Sequence, residues 1–222
     1  VKPESKNFPA DRAGRIKNVT GVILAGGRSS RYGRNKALVE LDHVPLIERV
    51  LRVMTSIFDD VVLITNTPDE YDYLKIPMFP DMIKGLGPLG GIYTGLKVLS
   101  KPSAFFVACD MPFLNPILIR HMLAVKEGYD VVVPRICGKI EALHGLYSRR
   151  CLSSIERQLA SGSYQILRFF SAVTVRFVDE DEVRRWDPDL RSFLNINTPE
   201  ELRQLGGTEQ EGGIVQRNGT IP

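Results

Sequence analysis

Residues 19–36 read VTGVILAGGRSSRYGRNK. A β-branched, apolar run over 19–24 stops at Ala25-Gly26-Gly27, and four cations, Arg28, Arg31, Arg34 and Lys36, then fall within nine residues. An uninterrupted apolar run of this length predicts a strand buried on both faces, as in parallel sheets. Glycines strip the following turn of side chains, so backbone N–H groups can surround an anion. With the cations and the Ser29 and Ser30 hydroxyls, the composition suits a polyphosphate. The stretch is not a Walker A loop, which ends G-K-[ST] at the opening of a helix, nor a G-x-G-x-x-G turn. Ala37-Leu38-Val39 predicts extended chain instead.

Working outward, strand and helix signals alternate. Leu46, Ile47, Val50, Leu51 and Met54 fall at helical spacing behind Pro45, and Leu89, Ile92, Leu96 and Leu99 do the same. Residues 61–65 and 104–108 predict two more buried strands. Asn115-Pro116 is an N-cap and first-turn pair for a helix to about Lys126. Residues 131–133, 143–147 and 173–178 predict strands, with the second beside the first, and 152–159 and 165–170 predict helices. Thr198-Pro199-Glu200-Glu201 is a capping box that opens a last helix ending at Gly206. The expected fold is α/β, a Rossmann-like, mostly parallel sheet with helices on both faces.

The 222 residues carry 29 basic and 26 acidic side chains. The first 18 hold five basic and two acidic residues, and so the entire net charge of +3. The remainder is neutral, which argues against a nucleic-acid binder. Residues 1–18 are expected to be a disordered leader, 19–205 one domain and 206–222 a flexible tail. Cys109, Cys137 and Cys151 show no CxxC spacing, so neither a zinc site nor a disulfide framework is expected. No apolar run approaches the roughly 18 residues of a membrane span, and no signal peptide is apparent. A cytoplasmic protein with no membrane partner is expected.

In a parallel sheet, ligands bind outside the carboxyl ends of the strands, so residues at those ends carry the candidate chemistry. Asp110, directly after the strand over 104–108, is placed to hold Mg²⁺, a hard cation that takes one or two carboxylates plus phosphate oxygens. Asp81 precedes Gly85-Leu86-Gly87-Pro88-Leu89-Gly90-Gly91, where exposed backbone donors at a helix start can grip a base, ribose or phosphate. Asn195 and Asn197, two apart on an expected strand from Phe193-Leu194, share one face that can meet a ligand. His144 reads as a satisfied, partly buried residue, His43 and His121 have no evident company, and Trp186 reads as packing.

These four constellations, in this order, resemble the molybdenum cofactor guanylyltransferase family, within the nucleotide-diphospho-sugar-transferase-like nucleotidyltransferases. The first motif resembles L-A-G-G-x-S-x-R-M-G-x-x-K. Cys109-Asp110-Met111-Pro112 and Asn195-Ile196-Asn197-Thr198-Pro199-Glu200-Glu201-Leu202 supply the later ones. Tyr32 stands where methionine is usual, and Ala142 where proline is common before Leu143. The resemblance implies transfer of GMP from GTP to the terminal phosphate of molybdopterin, with Mg²⁺ on Asp110. It implies nucleotide contacts at Leu24, Ala25, Gly26, Gly27, Lys36, Asn66, Asp81, Gly87 and Asp110. Arg31 and Lys36 then lie on the β- and γ-phosphates, Asn195 and Asn197 on the substrate side. Other molybdenum cofactor biosynthesis or acceptor proteins are implied partners. The alternatives are a molybdopterin cytidylyltransferase, a cobinamide-phosphate guanylyltransferase, or a nucleotide-binding module without catalysis.

Overall fold

The computed structural model of the chain describes residues 14–26, 35–196 and 201. In chain order the elements are β1 (Ile16–Leu24), β2 (Glu40–Leu41), β3 (Val44–Pro45), α1 (Leu46–Ile57), β4 (Phe58–Ile64), β5 (Met78–Phe79), α2 (Pro88–Val98) and β6 (Ser103–Ala108). There follow α3 (Pro116–Ala124), β7 (Val131–Ile136), β8 (Lys139–Ile140), β9 (His144–Ser148), α4 (Leu152–Ala160), β10 (Val175–Asp179) and α5 (Glu180–Val183). The main sheet runs β10-β7-β9-β6-β1-β4-β5, with β8 beside β7. β1 lies parallel to both β4 and β6, β4 to β5, and β7 to β10. β9 is reversed against β6 and β7. The expected α/β, mostly parallel architecture is present.

Side-chain alternation along the strands divides the core in two. Val19, Ile23, Leu63, Phe105, Val107 and Val132 face Ile47, Val50 and Met54 of α1 and Leu118, Ile119 and Met122 of α3. Val22, Leu24, Val62, Ile64, Phe106 and Val131 face Leu89, Ile92 and Leu96 of α2 and Ile155 of α4. The spacing that predicts α1 is its buried stripe, and Pro45 is its N-cap residue. Asn115 caps α3 as expected, accepting from the N–H groups of Ile117 and Leu118. α2 lies unusually close to the sheet. A Cβ on Gly91 would stand 2.9 Å from Leu24 Cδ2, and one on Gly95 only 2.6 Å from Phe106 Cε1. Part of the glycine content after Asp81 therefore serves helix–sheet packing rather than a ligand.

Several expectations need correction. β1 begins at Ile16, paired with Phe58, so the last three residues assigned to the leader belong to the sheet. Lys36–Leu38 is a 3₁₀ turn, not extended chain, because the Asn35 side chain caps it. The helical pattern at 165–170 is likewise 3₁₀, over Ile166–Ala172. Phe193-Leu194 is no strand. The Asp187 carboxylate accepts from Arg191 N and Ser192 N and folds Arg191–Phe193 into a 3₁₀ turn. The expected helix over 198–206 lies outside the described residues, apart from helical Glu201.

The histidines also differ from expectation. His121 lies 2.7 Å from Glu182 Oε1 and stacks on Trp186, so it has partners drawn from far along the chain. His144 is fully buried on β9, against the rings of Phe105 and Phe193, and neither ring nitrogen has a hydrogen-bond partner among the described residues. Burial pushes its imidazole down to about 4, the Asp187 charge acting weakly the other way. It is a neutral core residue, not an acid–base group.

Gly95→Ala gains about 1 kcal/mol of helix propensity but drives a methyl into the buried Phe106 ring, at a cost of about 1–3 kcal/mol. Thermal denaturation is expected to show a lower Tm, and an equal or higher one contradicts the close approach. The unfolded chain protonates His144 near 6.5 while the folded one resists until about 4, so stability drains away as pH falls through that window and is untouched above it. The loss is on the order of 3 kcal/mol. Denaturant titrations of His144→Leu against wild type are expected to show this component missing from the variant; parallel stability–pH curves contradict it.

Candidate functional site

The carboxyl ends of four parallel strands, β1, β4, β5 and β6, lie along one edge of the sheet, and the chain leaving each carries a candidate residue. The registers place Leu24 beside Ile64 on one side and Ala108 on the other. Main-chain bonds extend the alignment past the strands: Ala25 N donates to Ile64 O at 2.9 Å, Cys109 N to Leu24 O at 3.1 Å, and Thr65 N to Phe79 O at 3.0 Å. Ala25-Gly26, Asn66, Asp81 and Asp110 thus start from neighbouring points.

Two side-chain pairs organise this edge. Asn66 and Asp81 bond reciprocally: Asn66 Nδ2 donates to Asp81 Oδ2 at 2.7 Å, and Asp81 N donates to Asn66 Oδ1 at 3.1 Å. Gly26 completes the group, since a Cβ there would lie 4.0 Å from Asp81 Oδ2. The turn after Asp81 is pinned by the buried Thr94 hydroxyl of α2, which accepts from Met82 N at 2.9 Å. The second pair joins Lys36 to Asp110, Nζ to Oδ2, at 2.5 Å, with both side chains four-fifths or more buried. Ile196 N donates to Asp110 O at 3.2 Å and ties the chain near 196 to the same corner.

Asp110 can take a metal. Oδ2 is held by Lys36, whereas Oδ1 is buried with no hydrogen-bond partner among the described residues. A buried carboxylate oxygen without a donor is costly, and a hard cation supplies what it lacks. No group of three or more His, Cys, Asp or Glu that could enclose an ion occurs among the described residues. A cation here would therefore share Asp110 with ligand oxygens and water rather than sit in an all-protein cage. The neighbouring Cys109 is no nucleophile, because burial, then the Asp110 charge, push its thiol up to about 12.

The structure brings together Leu24, Ala25, Gly26, Lys36, Asn66, Asp81 and Asp110. Gly87 is the N-cap residue of α2, at φ 60° and ψ −150°, a conformation that essentially only glycine adopts. It begins the helix that follows Asp81. Asn195 is exposed and not on a strand, and buried Ile196 anchors the segment. Gly27, Arg31 and Asn197 lie outside the described residues. Sequence reading missed Thr94 and Asn35. Asn35 carried a usable signal, an N-cap residue type directly before the Lys36 turn.

The family model for the MobA-like NTP transferase domain matches residues 21–176, most of the chain and every strand end described above. The molybdenum cofactor guanylyltransferase of Desulfosudis oleivorans is 41% identical over 198 residues, covering 88% of this chain and 98% of that one. A probable molybdenum cofactor guanylyltransferase of Pelotomaculum thermopropionicum is 39% identical over 183 residues, covering 82% and 89%. Among solved structures, molybdopterin-guanine dinucleotide biosynthesis protein A of Archaeoglobus fulgidus is 28% identical, with a TM-score of 0.73, covering 84% of this chain and 96% of its own. The paired strand ends, the lysine–aspartate contact and these matches agree: the chain belongs to the MobA-like NTP transferase family.

Proposed function

We propose that this nucleotidyltransferase moves GMP from GTP to the terminal phosphate of molybdopterin, forming the guanine dinucleotide and releasing pyrophosphate. The observation that carries the reading is the Lys36–Asp110 contact at the edge where β1 and β6 end. It puts a cation and a metal-competent carboxylate side by side, as a triphosphate with its metal requires. The relatives named as molybdenum cofactor guanylyltransferases support the choice of nucleotide and acceptor.

In the reaction an oxygen of the acceptor phosphate attacks the α-phosphorus of GTP in line with the departing pyrophosphate. One P–O bond forms as another breaks. The acceptor phosphate is already ionised near neutral pH, so no strong general base is needed, in keeping with a His144 that burial holds neutral. The protein's task is to bring two polyanions together and offset their charge. The Gly26 backbone and the Lys36 cation face the phosphates, and the family resemblance adds Gly27 and Arg31; the Ala25 N–H is spent on Ile64 O and holds the turn against β4. The Asn66–Asp81 pair lies toward the nucleoside, where Asp81 accepts from base or ribose donors. Asp110, through the Oδ1 that has no partner among the described residues, would hold Mg²⁺. Bound there, the cation supplies charge neutralisation for the triphosphate.

No helix among the described residues is long and apolar enough to cross a membrane. The free thiols of Cys109, Cys137 and Cys151 suit a reducing, cytoplasmic setting.

The test is turnover with molybdopterin, Mg²⁺ and each of GTP, CTP, ATP and UTP, following pyrophosphate release. GTP is expected to be strongly preferred. Preference for CTP assigns the cytidylyl reaction instead, and no turnover with any nucleotide leaves a binding module. Asp110→Asn keeps the side chain's size and removes its charge, so turnover is expected to fall by about 100-fold or more. Lys36→Ala removes one charged phosphate contact, and kcat/KM for GTP is expected to drop by about tenfold to a few hundredfold. Near-normal rates in both variants contradict the assignment.

A further inference from the structure

Lys36 stands in a turn of three residues, Lys36–Leu38, and so short a 3₁₀ turn has little stability of its own. It is held from outside. Asn35 adopts an extended conformation, and its Oδ1 accepts from Ala37 N at 3.1 Å. The same carboxamide is gripped by the 3₁₀ helix Pro68–Leu74, which follows β4. Asn35 Nδ2 donates to Glu70 Oε2 at 2.5 Å and to the Tyr71 hydroxyl at 2.8 Å, and that hydroxyl donates to Asn35 Oδ1 at 3.1 Å. Tyr71 is 2% exposed and belongs to the same core cluster as Ala37. Its position is set by packing, so with buried Ala37 it gives the turn a second fixed point.

We propose that Tyr71 and Asn35 are positioning residues for Lys36: together with Glu70 they clamp the 36–38 turn and so aim the Lys36 ammonium at Asp110 and the nucleotide phosphates. The proposal rests on Lys36 being a phosphate ligand, as argued above. The role assigned to both clamp residues passes through the lysine. The chemistry selects asparagine at position 35. Both the donor and the acceptor ends of the carboxamide are used, and a carboxylate in its place would face Glu70 with like charge. Burial raises the Tyr71 phenol well above its ordinary value, which keeps it a hydrogen-bond donor at all working pH. The clamp also spans the site: it links the loop after β1 to the chain between β4 and β5, and Lys36 continues the link to the end of β6.

The decisive experiment is a double-mutant cycle on Tyr71→Phe and Lys36→Ala. It reads calorimetric binding of GTP with Mg²⁺, kcat and KM for GTP, and Tm. Tyr71→Phe removes one oxygen and leaves the ring in place. It is expected to lower kcat/KM for GTP by about fivefold, the scale of one hydrogen bond, with KM for molybdopterin unchanged. In the Lys36→Ala background the same substitution is expected to cost less than about twofold, because its effect passes through the lysine. Asn35→Asp is expected to lose more than Tyr71→Phe and to recover when combined with Glu70→Gln, which relieves the like-charge contact. Equal losses from Tyr71→Phe in both backgrounds, or no rescue by Glu70→Gln, overturn the clamp while GTP binding by the wild type still stands. Absence of GTP binding by the wild type, or a Lys36→Ala variant that binds GTP normally, overturns the reading beneath the clamp and the clamp with it.

Discussion

The contact on which the rest of this site depends is between Lys36 and Asp110. Seventy-four residues separate the two in sequence, and their charged atoms lie 2.5 Å apart in the fold. Either charge withdrawn from water by itself would be unfavourable, and each compensates the other. The parallel register of β1 and β6 makes the meeting possible by ending both strands at one level, Leu24 beside Ala108. In the proposed reading a metal-bound triphosphate would add negative oxygens beside the ammonium and a cation at the carboxylate Oδ1, which has no partner among the described residues. The ion pair would thus keep both groups in place before the proposed ligand arrives and reduce the reorganisation needed on binding.

The surrounding architecture follows from holding that edge rigid. Strands covered on both faces cannot shift register without moving every side chain to the wrong layer. The glycines of α2 let the helix settle onto Leu24 and Phe106, and the buried hydroxyl of Thr94 on that helix fixes the turn that carries Asp81. Catalysis by positioning and charge needs such a frame more than it needs a titrating side chain. Near the site, burial has the opposite effect from activation: it holds Cys109 protonated, and deeper in the core it holds His144 neutral.

What was legible in the sequence was local. Residues 19–24 and 104–108 announce buried strands because both faces are apolar, and Gly26 and Asp110 stand out because glycine and carboxylate have no packing reason to follow such runs. Asn115-Pro116 carries its cap on its face. The errors arose where distant partners decide. Phe193-Leu194 looked extended until the Asp187 carboxylate gathered the following N–H groups into a turn. Ala37-Leu38-Val39 looked extended because the cap of that turn is held by Glu70 and Tyr71, more than 30 residues away. His144 carries a polar side chain in a segment whose alternation is otherwise apolar, and its complete burial depends on Phe105 and Phe193 arriving from separate elements.

Asp110 and Lys36 are together proposed as a seat for a triphosphate with its metal. Calorimetric titration of GTP into the wild-type protein, with Mg²⁺ and with a chelator, tests it most directly. GTP is expected to bind at least about tenfold more tightly with Mg²⁺, a difference of about 1.4 kcal/mol, and Asp110→Asn is expected to abolish that gain. Equal affinity in the presence and absence of Mg²⁺ would contradict the seat, and with it the role assigned to the edge where β1 and β6 end.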